Sequence, residues 1–243
     1  MAQMPLVAVL DGLQAGAVEH GIEVRVVLDH SRRRPVEWAR SAVRMAAAYR
    51  DSGVVGFGVA GDETAPLAPY VSVLAEATET GVHLVHHAGE TAGPASVWEA
   101  VRLGRAERIG HGFRVLEDPS LVAWLRDRQL PLEVCPSSNV ALGLVSSIAN
   151  HPLPRLREAG LAVSLNTDIP AVTGRALSDE YETARTTFGC SDSELAELAH
   201  AAVGASFAPA GTTVRMHAGI ESWLAAQPGG AASAAPVLPV ARK

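Results

Sequence analysis

Thiols are scarce in this chain. Its 243 residues include two cysteines, Cys135 and Cys190, far apart and outside any C-x-x-C pair. That spacing excludes a thiolate zinc site and a dithiol redox motif, and two free buried thiols in a reducing compartment are the expectation. Long apolar runs are absent too: no window of about eighteen continuous apolar residues occurs, so no membrane span is expected. Met1–Leu10 has neither a basic n-region nor a small-residue cleavage site, and a cytoplasmic location is the resulting expectation. Positive charge is in short supply. The net charge of −6 argues against a nucleic-acid footprint. The one basic cluster, Arg32–Arg33–Arg34, reads as a solvated loop.

What the chain does have is apolar content, 48%, enough for one large α/β core. Six short runs rich in Val, Ile and Leu recur along it: Val24–Leu28, Val54–Val59, His83–His87, Arg108–Gly110, Leu132–Val134 and Ala162–Leu165. Amphipathic helical patterns separate most of them, and that alternation predicts a parallel sheet covered on its outer face. The helices are expected over 36–49, 68–80, 96–103 and 120–130, with terminal helices over 179–188, 193–205 and 214–226. Pro35 suits a first helical turn, and Gly81 a C-terminal stop. The segment 228–243, rich in Pro, Gly and Ala, is expected to be disordered.

Each apolar run ends in polar or small residues: Asp29–His30–Ser31, Gly61–Asp62–Glu63, His87–Ala88–Gly89–Glu90, His111–Gly112, Cys135–Pro136–Ser137–Ser138–Asn139 and Asn166–Thr167–Asp168. In a parallel barrel all six clusters gather at the carboxyl face, where such enzymes keep their chemistry. A full eight-unit barrel takes about 250 residues, roughly thirty per unit. The chain offers six units and a helical C-terminal extension, and residues 1–20 read as the helix that precedes a strand. The expected fold is therefore an incomplete (β/α)8 barrel over 1–227, lacking its first two units, followed by a tail over 228–243.

Four side chains at that face can do chemistry. His87 offers a ring nitrogen to a metal, and Glu90, three residues on, a proton to a substrate. A structural histidine at a strand end is the alternative, and His83 and His86 read as core residues or as supports behind the site. His111 sits between glycines, which suits either close ligand approach or a tight turn. Asp168 reads as a ligand or as the N-cap of a helix opening at Pro170. Together they are what metal-assisted hydrolysis needs.

The ordered motifs Ala60–Gly61–Asp62–Glu63, His87–Ala88–Gly89–Glu90, Arg108–Ile109–Gly110–His111–Gly112, Val134–Cys135–Pro136–Ser137–Ser138–Asn139 and Ser164–Leu165–Asn166–Thr167–Asp168 resemble those of the adenosine deaminase family, from about residue 10 to about residue 226. The resemblance implies a zinc-dependent (β/α)8 barrel that hydrolytically removes the 6-amino group of purine nucleosides or bases. It implies one Zn2+ with His87 and Asp168 as ligands. Glu90 would protonate the ring nitrogen N1, His111 would orient and help deprotonate the attacking water, and the Gly61 backbone would contact the purine. Two departures stand out. The family's His-x-His ligand pair has no match, since no His-x-His occurs in the chain; both ligands are expected from a missing N-terminal segment. At Ile169 the family usually has a second aspartate that bonds the five-membered ring of the purine. Two alternatives follow: a non-catalytic binding module that self-associates through open barrel edges, and a metal-dependent amidohydrolase with a non-purine substrate.

Overall fold

The six apolar runs form strands, β1 (Val26–Ser31), β2 (Val54–Ala60), β3 (His83–Ala88), β4 (Arg108–His111), β5 (Leu132–Val134) and β6 (Val163–Leu165). In the computed structural model, which describes residues 4–227, they pair in chain order and all in parallel. The expected tail, 228–243, lies outside the described residues. Strands that pair in chain order with a crossover between each wind one way, and the helices fall on one face. The architecture is six units of a (β/α)8 barrel, with β1 and β6 at the ends of the arc.

The helices are α1 (Met4–His20), α2 (Val36–Ala48), α3 (Val71–Glu79), α4 (Pro94–Arg102), α5 (Pro119–Arg128), α6 (Pro136–Ala141), α7 (Leu153–Glu158), α8 (Pro170–Thr173), α9 (Leu177–Thr186), α10 (Asp192–Ala205) and α11 (Ala210–Ala225). Local chemistry explains their starts. Asp118 caps α5 by accepting the N–H groups of Ser120 and Leu121, with Pro119 in the first turn. Ser191 and Glu194 form a capping box on α10. In α2, Ala39, Val43 and Ala46 recur at helical spacing, are fully buried, and pack the helix onto β1 and β2.

Each strand from β2 to β6 contributes one large side chain, almost wholly buried: Phe57, Leu84, Ile109, Leu132 and Leu165. Burial of each contributes about 1.5–3 kcal/mol. The direct β2–β3 ladder ends at Phe57–Leu84. Beyond it the Val59 N–H donates to His86 Nδ1 at 3.1 Å, and the other ring nitrogen faces the Gly104 carbonyl at 2.9 Å. His86 is thus a core histidine that replaces a backbone acceptor; burial lowers its pKa to about 4, so it stays neutral.

Four expectations need correction. The helix foreseen over 68–80 begins as a 3-10 turn, Ala68–Tyr70, and becomes α-helical only at Val71. Residues 136–141, 153–158 and 170–173 form short helices not foreseen, because four to six residues carry too little periodicity to read. Arg32 is no solvated loop residue: it is 5% exposed, whereas the neighbouring Arg33 side chain is 74% exposed. His83, at the opposite end of β3 from the site, stacks on Phe207 and meets Glu107 at 2.8 Å, so it neither supports the site nor belongs to the core. Cys135 and Cys190 are free and buried, as expected. No helix among the described residues is long and apolar enough to cross a membrane.

Candidate metal and active site

Strands β3 and β4 deliver two imidazoles to one rim. Parallel pairing sets His87 beside Gly110 and Ala88 beside His111, and the absence of a side chain at Gly110 leaves the His87 ring within 3.5 Å of where a Cβ would stand. The His87 and His111 ring centroids lie 5.2 Å apart. Asp168, just past β6, completes the group: one ligand atom from each of His87, His111 and Asp168 lies within 4.8 Å of the others. His111 and Asp168 both hold left-handed backbone, φ +66° and +60°. Such conformations cost of order 1–3 kcal/mol in non-glycine residues and persist where the surroundings impose them.

Asp168 is not the N-cap of the helix after it. Ile169 occupies that position, and the Asp168 carboxylate accepts the Ser138 hydroxyl at 2.6 Å instead. The hydroxyl comes from α6, the helix that follows the neighbouring strand β5, and it holds the exposed Asp168 carboxylate at the rim.

Glu90 projects beside His111, carboxylate to Nδ1 at 3.5 Å, with both side chains largely buried. Burial first, then the charges of Glu63 and Asp168, raise the Glu90 pKa to about 7. Burial and His87 lower that of His111 to about 4. The site therefore pairs a carboxylic acid with a neutral imidazole near pH 7, a combination suited to giving and taking protons.

A third residue links them. Asn139 Nδ2 lies 3.3 Å from Glu90 Oε1 and 3.4 Å from His111 Nδ1, while its Oδ1 faces His151 Nε2 at 3.2 Å. The Leu153 N–H donates to His151 Nδ1, so the His151 proton sits on Nε2 and donates to Asn139. That bond turns the Asn139 amide nitrogen toward the site. In the sequence Asn139 stands out only as the end of its motif, through its place in a strand-end cluster. His151, twelve residues on, carries no signal there.

Gly61 follows β2 at φ +86°, where a Cβ would come within 3.3 Å of Ser31 Oγ. Asp29, near the end of β1, lays its carboxylate over Gly58, a position where any Cβ would also collide with the Val85 carbonyl. Burial raises the Asp29 pKa against the opposing influence of His87.

The donor set, two imidazoles and a carboxylate, is one that zinc accepts, and a buried His87 Nδ1 without a protein partner shows the ring is not committed to a structural bond there. The residues fit a metal.

The sequence model of the family described as adenosine deaminase matches residues 3–223. The chain belongs to the adenosine deaminase family. A protein of Streptomyces coelicolor named putative adenosine/adenine deaminase is 41% identical over 219 residues, which are 90% of this chain and 64% of that protein. Another S. coelicolor protein, aminodeoxyfutalosine deaminase, is 38% identical over 222 residues, 90% of this chain and 57% of that one. Among solved structures, adenine deaminase from Arthrobacter aurescens superposes with a TM-score of 0.88 at 29% identity, over 93% of this chain and 69% of its own. The chain thus spans less than two thirds of the length of these curated deaminase relatives.

Proposed function

We propose that this chain carries the proton-transfer side of a zinc-dependent hydrolytic deaminase acting on 6-aminopurine nucleosides or bases. The observation behind the reading is the buried Glu90–His111 pair beside the donor atoms of His87 and Asp168. His87 and Asp168 would hold the metal, with two further histidines from outside these residues. When bound, zinc supplies Lewis acidity toward a water molecule.

The chain's own residues account for the rest. Glu90, half protonated near pH 7, donates its proton to N1 of the purine, which draws electron density from C6. His111, held neutral by burial, orients the attacking water and takes its proton. Asn139 keeps both groups aimed at one point. The Gly61 backbone, free of a Cβ, contacts the base.

The test is ammonia release from adenine, adenosine and deoxyadenosine with Zn2+ supplied, for this chain and for an N-terminally extended version. Release from the extended protein that is lost on removing Glu90 supports the proposal; no release from any of them refutes it.

One observation favours a second reading. Ile169, 52% exposed beside Asp168, offers no hydrogen bond to a purine nitrogen. A substrate without that nitrogen, handled by a metal-dependent amidohydrolase, fits an apolar residue there. Hydrolysis of non-purine amides or amines in the same assay distinguishes it. The third reading, a non-catalytic module, draws on β1 and β6, which have no strand beyond them among the described residues and offer edges for self-association.

A further inference from the structure

Two buried charged residues lie behind the site, and of these only Glu63 has entered the chemistry above, as a charge that raises the Glu90 pKa. The Arg32 side chain is fully buried, and Glu63 is 4% exposed. Arg32 is not paired with Glu63 side chain to side chain. Its nearest carboxylate oxygen belongs to Glu99 at 3.8 Å, and its fork is spent on backbone: Nη2 donates to the His87 carbonyl at 2.7 Å, and Nη1 faces those of Glu63 and Ala65 at 3.4 and 3.3 Å. Tyr70 in turn fixes the Arg32 backbone, its hydroxyl lying 2.9 Å from the carbonyls of Arg32 and Arg34.

Glu63 works on the same segment from the other side. Its carboxylate accepts the N–H groups of Glu90 and Ala92, each at 3.0 Å, and the Ser96 hydroxyl at 2.8 Å. Ser96 Oγ accepts the Gly89 N–H at 2.7 Å. The carbonyl of His87 and the amides of Gly89, Glu90 and Ala92 are all held by this frame. The segment is also pressed close: at Gly89, φ +71°, a Cβ would stand 2.6 Å from a Val97 methyl and 3.0 Å from Gly112 Cα.

Burying a guanidinium and a carboxylate costs several kcal/mol of hydration each, and apolar residues of similar volume often stabilise a fold as well or better. A connecting loop does not need them. Backbone acceptors and donors that must hold one position do, since a planar fork can satisfy several carbonyls at once.

We infer that Arg32 and Glu63 are positioning residues that lock the backbone of residues 87–92, and so aim His87 and Glu90 into the mouth. The inference rests on the reading of those two as metal ligand and proton donor for its meaning in catalysis, and on the frame itself for its geometry.

The experiment is amide hydrogen exchange on the full chain and on Arg32→Lys, Glu63→Gln and Ser96→Ala. Lysine keeps the charge but loses the fork, glutamine keeps one acceptor oxygen, and Ser96→Ala removes only a hydroxyl, so it reports even if the charged-site variants fail to fold. Expected is faster exchange, by about tenfold, at amides 89, 90 and 92 alone, with those of the sheet unchanged. Protection in Arg32→Lys equal to that in the unaltered chain, or a uniform rise throughout the sheet, overturns the inference. In the deaminase assay the same variants should lower kcat and leave KM; a rise in KM alone also overturns it. If the unaltered and extended proteins release no ammonia, the deaminase reading fails while exchange still decides the frame.

Discussion

Glu90 Oε1 lies 3.5 Å from His111 Nδ1, and the amide nitrogen of Asn139 reaches both atoms. One buried acid and one buried base therefore face the same space with opposite pKa displacements: Glu90 up to about 7, His111 down to about 4.

The sign of the pH dependence follows. Catalysis as proposed needs Glu90 protonated and His111 neutral. Activity should rise through about pH 4 as His111 loses its proton, then fall through about pH 7 as Glu90 loses its own. A kcat/KM profile from acid to mildly alkaline pH checks this. Glu63→Gln removes one of the charges that raise the Glu90 pKa, and should move the alkaline limb to lower pH.

Glu90→Gln keeps the size of the side chain and its bond to Asn139 but removes the acid. Deaminase activity should fall by about 10²–10⁴-fold. Circular dichroism and melting temperature should stay close to those of the unaltered chain. Retained activity would remove Glu90 from the proton path.

His87→Ala and Asp168→Ala each take one donor from the three that converge within 4.8 Å. Zinc affinity, measured by competition with a chromophoric chelator, should fall about tenfold or more in each. Treatment of the N-terminally extended protein with a strong chelator should abolish ammonia release, and added Zn2+ should restore it. His83→Ala, at the other end of β3, should leave zinc affinity unchanged.

Gly112 holds φ +68° beside His111, and a Cβ there would stand 2.8 Å from Leu132 Cδ2 and 3.3 Å from Ile109 Cγ2. Gly112→Ala should cost about 1–3 kcal/mol by urea denaturation, from strained backbone and an overfilled core. It should also displace His111 and weaken metal binding.

How much of this is legible in the sequence differs by residue. His87, Glu90, His111 and Asp168 can be named because each follows an apolar run, and parallel strands in chain order must bring such ends together. The family resemblance, now matched over residues 3–223, assigned their expected roles. Asn139 is visible only as part of a motif. His151 and Arg32 are not visible at all. His151 owes its place to a hydrogen bond with Asn139, and Arg32, in a run of three arginines, has the local pattern of a surface loop.

The sequence by itself determined the alternation of strands and helices, the parallel sheet and which strand ends meet, because apolar periodicity and chain order act locally and repeat. Only the tertiary structure decided which arginine of three is buried, that Asp168 turns to Ser138 and not to a helix N-terminus, and how burial and neighbouring charges shift Glu90 up and His111 down. Those outcomes depend on desolvation and on contacts between residues about thirty or more positions apart, a range at which no local pattern carries information.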